Sequence, residues 1–173
     1  MTTKTPLINK ERAAELYHQL LHTTNEILKK TGDKTRPMLD KALEQAKTRL
    51  IQAENYTDKE INHIEEYLIR DLHSAGEYIA TGEKELANWL QMEKVFIEDQ
   101  LLDVFNNMVD HTRLSLDAIR ERANDVGRWR TGEITGPGTL VCANCQQTVH
   151  FDHPSHIPPC PKCHETEFER PAH

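Results

Sequence analysis

Thr139-Leu-Val-Cys142-Ala-Asn-Cys145 and, after 14 intervening residues, Cys160-Pro-Lys-Cys163 decide how this chain is read. Two residues between cysteines let a tight turn aim both sulfurs at one point, with backbone amides free to donate to the thiolates. Two such turns give four sulfurs in a tetrahedron about 2.3 Å from a central metal. The stretch between the pairs is long enough for a strand, a turn and a return. Cys142, Cys145, Cys160 and Cys163 are therefore the expected ligands of one structural Zn²⁺ per chain. A closed Cys₄ set leaves no position for water or substrate, so zinc hydrolysis is not supported.

Other uses of four cysteines compete with this reading. Cys₄ also binds iron, which would make the site a rubredoxin-type redox centre. A thioredoxin-like pair needs its first cysteine at a helix N-terminus, and Pro158, Pro159 and Pro161 around Cys160 exclude that helix. Paired disulfides require an exported chain. His150, His153, His156 and His164 surround the knuckles. With four thiolates already present, these rings are expected to face solvent or lie behind the ligands.

Working outward, Thr139-Leu140-Val141, Thr148-Val149-His150-Phe151 and Glu167-Phe168-Glu169 are short and β-prone. A piece this small cannot bury enough surface to fold unaided. Zinc binding, worth on the order of 10–16 kcal/mol at neutral pH, supplies what its core lacks. Gly127, Gly132, Gly136, Pro137 and Gly138 precede it and read as a linker or turn region that uncouples it from what comes before. The division drawn is a helical region over 1–130 and a Cys₄ zinc ribbon over 131–173.

From about Asn9 to Asp125 the period is helical. Ala13, Leu16, Leu20 and Ile27 form one stripe, widened by Tyr17, Leu21 and Leu28, and Gly32 stops it. Pro37 suits a first turn before Leu39, Leu43, Ala46, Leu50 and Ala53. Thr57 and Glu60 form a capping box ahead of Ile61, Ile64, Leu68, Leu72, Ala75 and Ile79, with a break at Thr81-Gly82. From Glu83 to Val126 there is neither Gly nor Pro. Leu86, Leu90, Ile97, Leu101, Val104, Met108, Leu116 and Ile119 share one face there, broadened by Trp89, Phe96 and Phe105. As one helix this stretch would run about 60 Å, with Glu93 and Lys94 marking a place for a kink. Amphipathic helices must bury their stripes on one another, so the expected fold is mainly α: an elongated antiparallel helical bundle or coiled coil, then a small C-terminal β ribbon. His18 and His22 lie at i and i+4 on one helix face, and with no further spacing to support a site they read as a polar face.

The chain carries net charge −7, with 37% apolar and 28% charged residues. From Thr131 on, Lys162 and Arg170 stand against Glu133, Asp152, Glu165, Glu167 and Glu169. Neither half has the cationic excess that tracks a phosphate backbone, which argues against direct nucleic-acid binding. No apolar run of about 20 residues is available to span a membrane. Met1 to Asn9 lacks the apolar run of a signal peptide, so a cytoplasmic setting is expected. No phosphate loop, nucleophile elbow or triad is found.

At Gly136-Pro-Gly-Thr-Leu-Val-Cys142 and Ile157-Pro-Pro-Cys-Pro-Lys-Cys163, with Thr166, Phe168 and Arg170 following, the chain resembles the YbeL-like bacterial zinc-ribbon proteins, the domain of unknown function 1451 family. The resemblance implies a long helical region ahead of a ribbon, together with zinc and a cytoplasmic location, and it brings no activity. Gln146 departs from the pattern, because glycine commonly takes the positive φ after a knuckle, and glutamine there implies some strain or a different turn. The expected role is a non-enzymatic interaction or regulatory module that meets a protein partner, or itself, through its amphipathic helices. A transcription- or nucleic-acid-associated ribbon factor and an iron-loaded redox protein are the alternatives.

Overall fold

Asn9 opens the first helix, its side chain accepting the Arg12 N–H at 2.8 Å. In this computed structural model the described residues are 8–32, 38–53, 56–81, 86–91, 97–114, 116 and 127–171. Helix α1 (Lys10–Thr31) ends at Gly32, whose φ of 61° suits a residue without Cβ. Helix α2 (Leu39–Gln52) follows. Helix α3 (Asp58–Ala80) starts on the expected capping box: the Thr57 hydroxyl accepts the Glu60 N–H, and the Glu60 carboxylate accepts the Thr57 N–H at 2.8 Å. The stripes read from the period are the core. Leu16, Leu20, Leu21, Leu28, Leu39, Leu43, Ala46, Ile61, Leu68, Leu72 and Ala75 are all buried, whereas Ala53 is exposed and Ile79 half-buried.

The stretch after Glu83 is not one helix. Helix α4 (Leu86–Leu90) stops at Gln91, which adopts φ 47°, and helix α5 (Asp99–Leu114) begins beyond it. The reason is packing. Trp89 stacks on Phe105 with ring centroids 5.7 Å apart, whereas an unbroken helix would hold the two about 24 Å apart. Folding back buries both rings completely. The suspected kink at Glu93 and Lys94, together with Pro37, Phe96 and Ile119, lies outside the described residues. Helix α1 packs on α2, α3 and α5, and α3 packs on α5, so the helical region is a bundle around one core. No described helix is long and apolar enough to cross a membrane.

Six short strands follow: β1 (Trp129–Arg130), β2 (Ile134–Thr135), β3 (Gly138–Cys142), β4 (Thr148–Phe151), β5 (Ser155–His156) and β6 (Glu167–Glu169). One antiparallel sheet has the order β1-β6-β3-β4, and β2 pairs with β5 in a second. Strand β1 lies on the helical side of the boundary drawn after Arg130, yet Trp129 pairs with Phe168 of β6. Trp129, Leu140, Phe151, Ile157 and Phe168 make the ribbon's small core around Cys142 and Cys160. The ribbon sits on the bundle: β2 and β5 contact α1, β2 contacts α3, and β3 contacts α4. Ile134 of β2 is part of the helical core itself.

Two glycines read as linker are packing residues. A Cβ on Gly136 would lie 2.7 Å from the Tyr17 hydroxyl. Gly138 has φ 133°, and a Cβ there would meet the Arg170 guanidinium at 2.5 Å. These positions let the ribbon backbone press against α1 and receive Arg170.

Candidate metal centre

The two knuckles are built alike. In the first, the Gln146 N–H donates to the Cys142 carbonyl at 3.0 Å and the Cys142 N–H to the Gln147 carbonyl at 2.9 Å. In the second, His164 donates to Cys160 at 2.9 Å and Cys160 to Glu165 at 2.9 Å. The residue after each second cysteine turns left-handed, Gln146 at φ 61° and His164 at φ 63°. Of the two outcomes that glutamine at this position implied, strain or a different turn, the left-handed turn is kept without glycine, and it recurs in the other knuckle.

All four Sγ atoms lie within 4.8 Å of one another. Cys142 and Cys163 approach to 3.5 Å, and Cys145 and Cys160 to 3.6 Å. A zinc tetrahedron with bonds near 2.3 Å has sulfur–sulfur edges of about 3.8 Å, so the donor set fits with small adjustment. The thiols are free, and these separations are far from the roughly 2.05 Å of a disulfide. Backbone amides tune the sulfurs. The Glu165 N–H first, then the Asn144 side chain, bring Cys163 down to about 6. Burial pushes Cys160 up, but the Cys163 and Lys162 N–H groups outweigh it and its pKa is lowered. Cys145 receives the Gln147 N–H, yet burial and the neighbouring sulfurs push it up to about 12.

Among the described residues these cysteines are the one group of three or more potential metal-ligating side chains that converges. None of the nearby histidines joins them. His150 hydrogen-bonds the Thr139 hydroxyl at 2.8 Å, and His153 pairs with Asp152 in the open. His153 and His156 line one wall of a crevice of about 380 Å³, with His18 and Glu15 of α1 on the other. The His18 and His22 rings stand 4.1 Å apart. Burial, then the His18 charge, lowers the pKa of His22.

A second cluster escaped the sequence reading. Asp71 of α3 is wholly buried where the bundle meets the ribbon. Its Oδ2 accepts from the Tyr17 hydroxyl at 2.7 Å, the Gly136 N–H at 2.8 Å and the Thr135 hydroxyl at 3.3 Å. Its Oδ1 accepts from the Trp129 indole at 2.7 Å and from Arg70 at 3.2 Å, with Arg170 at 3.9 Å. Arg70 continues to the Ile134 carbonyl at 2.9 Å and to the Glu133 carboxylate. Arg170 donates to the Thr139 carbonyl at 3.1 Å and lies 4.2 Å from the Trp89 ring centroid. Two guanidiniums thus meet two carboxylates, so the buried charge is balanced. Burial raises the Asp71 pKa, but Arg70, Arg170, the Gly136 N–H and Tyr17 overcome it and hold the carboxyl below its ordinary range. Its contribution to stability is in place at neutral pH and is lost only as pH falls through that lowered value. The available signal was the helical step Ile64, Leu68, Asp71, Ala75, which sets a carboxylate inside an apolar stripe.

Comparison with known proteins agrees with the zinc ribbon. The model of the zinc-ribbon containing domain, domain of unknown function 1451, matches residues 26–172. The uncharacterized protein YbeL of Escherichia coli K12 is 28% identical over 166 residues, covering 92% of this chain and 96% of the relative. YbeL of the O157:H7 strain matches to the same extent. No solved structure matches the chain.

Proposed function

The chain belongs to the zinc-ribbon family of domain of unknown function 1451, and from that premise we propose that it is a non-enzymatic interaction or regulatory module folded around one structural Zn²⁺. The observation that carries this reading is the convergence of Cys142, Cys145, Cys160 and Cys163 in two matching knuckles. Four sulfurs close the coordination sphere, so the metal acts as scaffold and not as Lewis acid. The module works in the cytoplasm and meets a protein partner. The bundle's stripes are buried on one another, and among the described residues Leu114, at the end of α5, is the one large apolar side chain left exposed. Among the described residues, the surface left for such a partner is the polar helix face and the ribbon.

Elemental analysis of the purified protein should find about one Zn per chain, lost from the Cys142→Ser/Cys160→Ser double variant. Metal retained by that variant, or a red iron protein in place of a colourless one, would refute the zinc assignment. Co-purification from cell extract with the intact chain, compared with the double variant, tests whether a partner depends on the folded ribbon.

A further inference from the structure

We propose that metal occupancy of the cysteine site controls the stability of the helical bundle, through the contacts that the ribbon makes with Asp71. This rests on the zinc reading above and adds to it a direction of control within the chain.

The strands that carry the ligands also carry the donors. Strand β3 ends in Cys142 and begins at Gly138, two residues after the Gly136 N–H that binds Asp71. Phe168 of β6 pairs with Cys142, and Arg170 follows two residues on. Trp129 of β1 pairs with Phe168. Cys142, the first ligand, is thus one pairing away from Phe168 and two from Trp129. A ribbon of this size lacks the core to hold these registers without metal. When it melts, Asp71 loses Trp129, Thr135, Gly136 and Arg170 together, and Arg70 loses Ile134 and Glu133. The helical core also loses Ile134. What remains on α3 is an ion pair deprived of the partners that made its burial tolerable. Helices α1 and α3, joined at Tyr17 and Asp71, are where the loss is felt first.

Coupling of this kind is reciprocal: whatever the metal gives the bundle, the bundle gives the metal. Residues of the bundle that touch no ligand must therefore influence zinc affinity. Tyr17 provides the sharpest case. It belongs to α1, and Tyr17→Phe removes one hydroxyl from Asp71 while leaving the ring in place.

Hydrogen–deuterium exchange of the full chain tests the idea, with the reduced protein compared before and after zinc removal and metal content checked by elemental analysis. Exchange should quicken about 5–150-fold in α3 around Asp71 and in α1 around Tyr17, as well as in the ribbon. Acceleration confined to residues 127–171 overturns the proposal. Zinc affinity, measured by competition with a chromophoric chelator, should fall within the same 5–150-fold range for Asp71→Asn and by a smaller factor for Tyr17→Phe. Should Asp71→Asn fail to fold, Tyr17→Phe still decides, because unchanged zinc affinity in that variant also overturns the coupling. A chain that holds no metal at its cysteines refutes the zinc reading itself, and elemental analysis reports that outcome separately.

Discussion

Gln146 and His164 occupy equivalent places in the two knuckles, each left-handed at φ near 60°. That conformation costs an L-residue about 1–2 kcal/mol relative to the right-handed one. Gln146 recovers part of it, since its side-chain amide reaches the Cys142 carbonyl at 3.3 Å. Gln146→Gly should stabilise the zinc-bound ribbon by up to about 1 kcal/mol, and Gln146→Val should destabilise it, as read from the chelator concentration at which metal leaves. If the two variants behave alike, φ is not what limits this position. The residues that carry chemistry were legible to different degrees. The cysteines were plain because the metal dictates both residue type and spacing. Asp71 was obscure because its partners come from four separate segments, and only the fold brings Tyr17, Trp129, Gly136 and Arg170 to one carboxylate. Arg170, one of the residues on which the family resemblance rested, shows its use only beside Trp89 and Thr139.

At the scale of elements, periodicity and end signals located α1 and α3 well, because Gly32, Thr57 and Glu60 act within one turn of the residues they terminate. The break between α4 and α5 was legible only in part, as a place for a kink at Glu93 and Lys94 and not as a stop at Gln91. Nothing in Leu86–Leu90 or after it forbids helix by propensity, and the stop at Gln91 serves the distant contact of Trp89 with Phe105. Helix α5 still follows its stripe: Leu101, Val104, Phe105 and Met108 are buried, and Glu98 before it is exposed. Leu101→Ala should therefore cost about 2–5 kcal/mol and lower the helical melting temperature. Glu98→Ala should change stability by no more than about 0.5 kcal/mol. Circular dichroism at 222 nm during a thermal melt separates the two. An unchanged melt for Leu101→Ala would mean that this face of α5 adds nothing to the core.

For the whole molecule, the question is whether the ribbon is carried by the bundle or completes it. Composition and glycine content suggested two independent halves, because a cluster of glycines before a metal knuckle has the grammar of a linker. The space around Gly136 and Gly138, filled by Tyr17 and Arg170, gives those glycines another purpose that no local pattern announces. A truncated chain ending at Arg128 decides between the two descriptions. It keeps Tyr17 and Arg70 beside Asp71 but lacks Trp129, Thr135, Gly136 and Arg170. Water then reaches the carboxylate, and most of what made its charge valuable is gone. In the full chain, Asp71→Asn strips a balanced buried network of one charge and should cost about 3–5 kcal/mol. In the truncated chain the same substitution should cost less than about 1 kcal/mol, on top of a parent melt that is already lower. The difference between the two costs is the coupling energy of Asp71 with the ribbon. Equal costs in the two backgrounds would mean that Tyr17 and Arg70 account for the whole effect and that Asp71 serves the bundle alone.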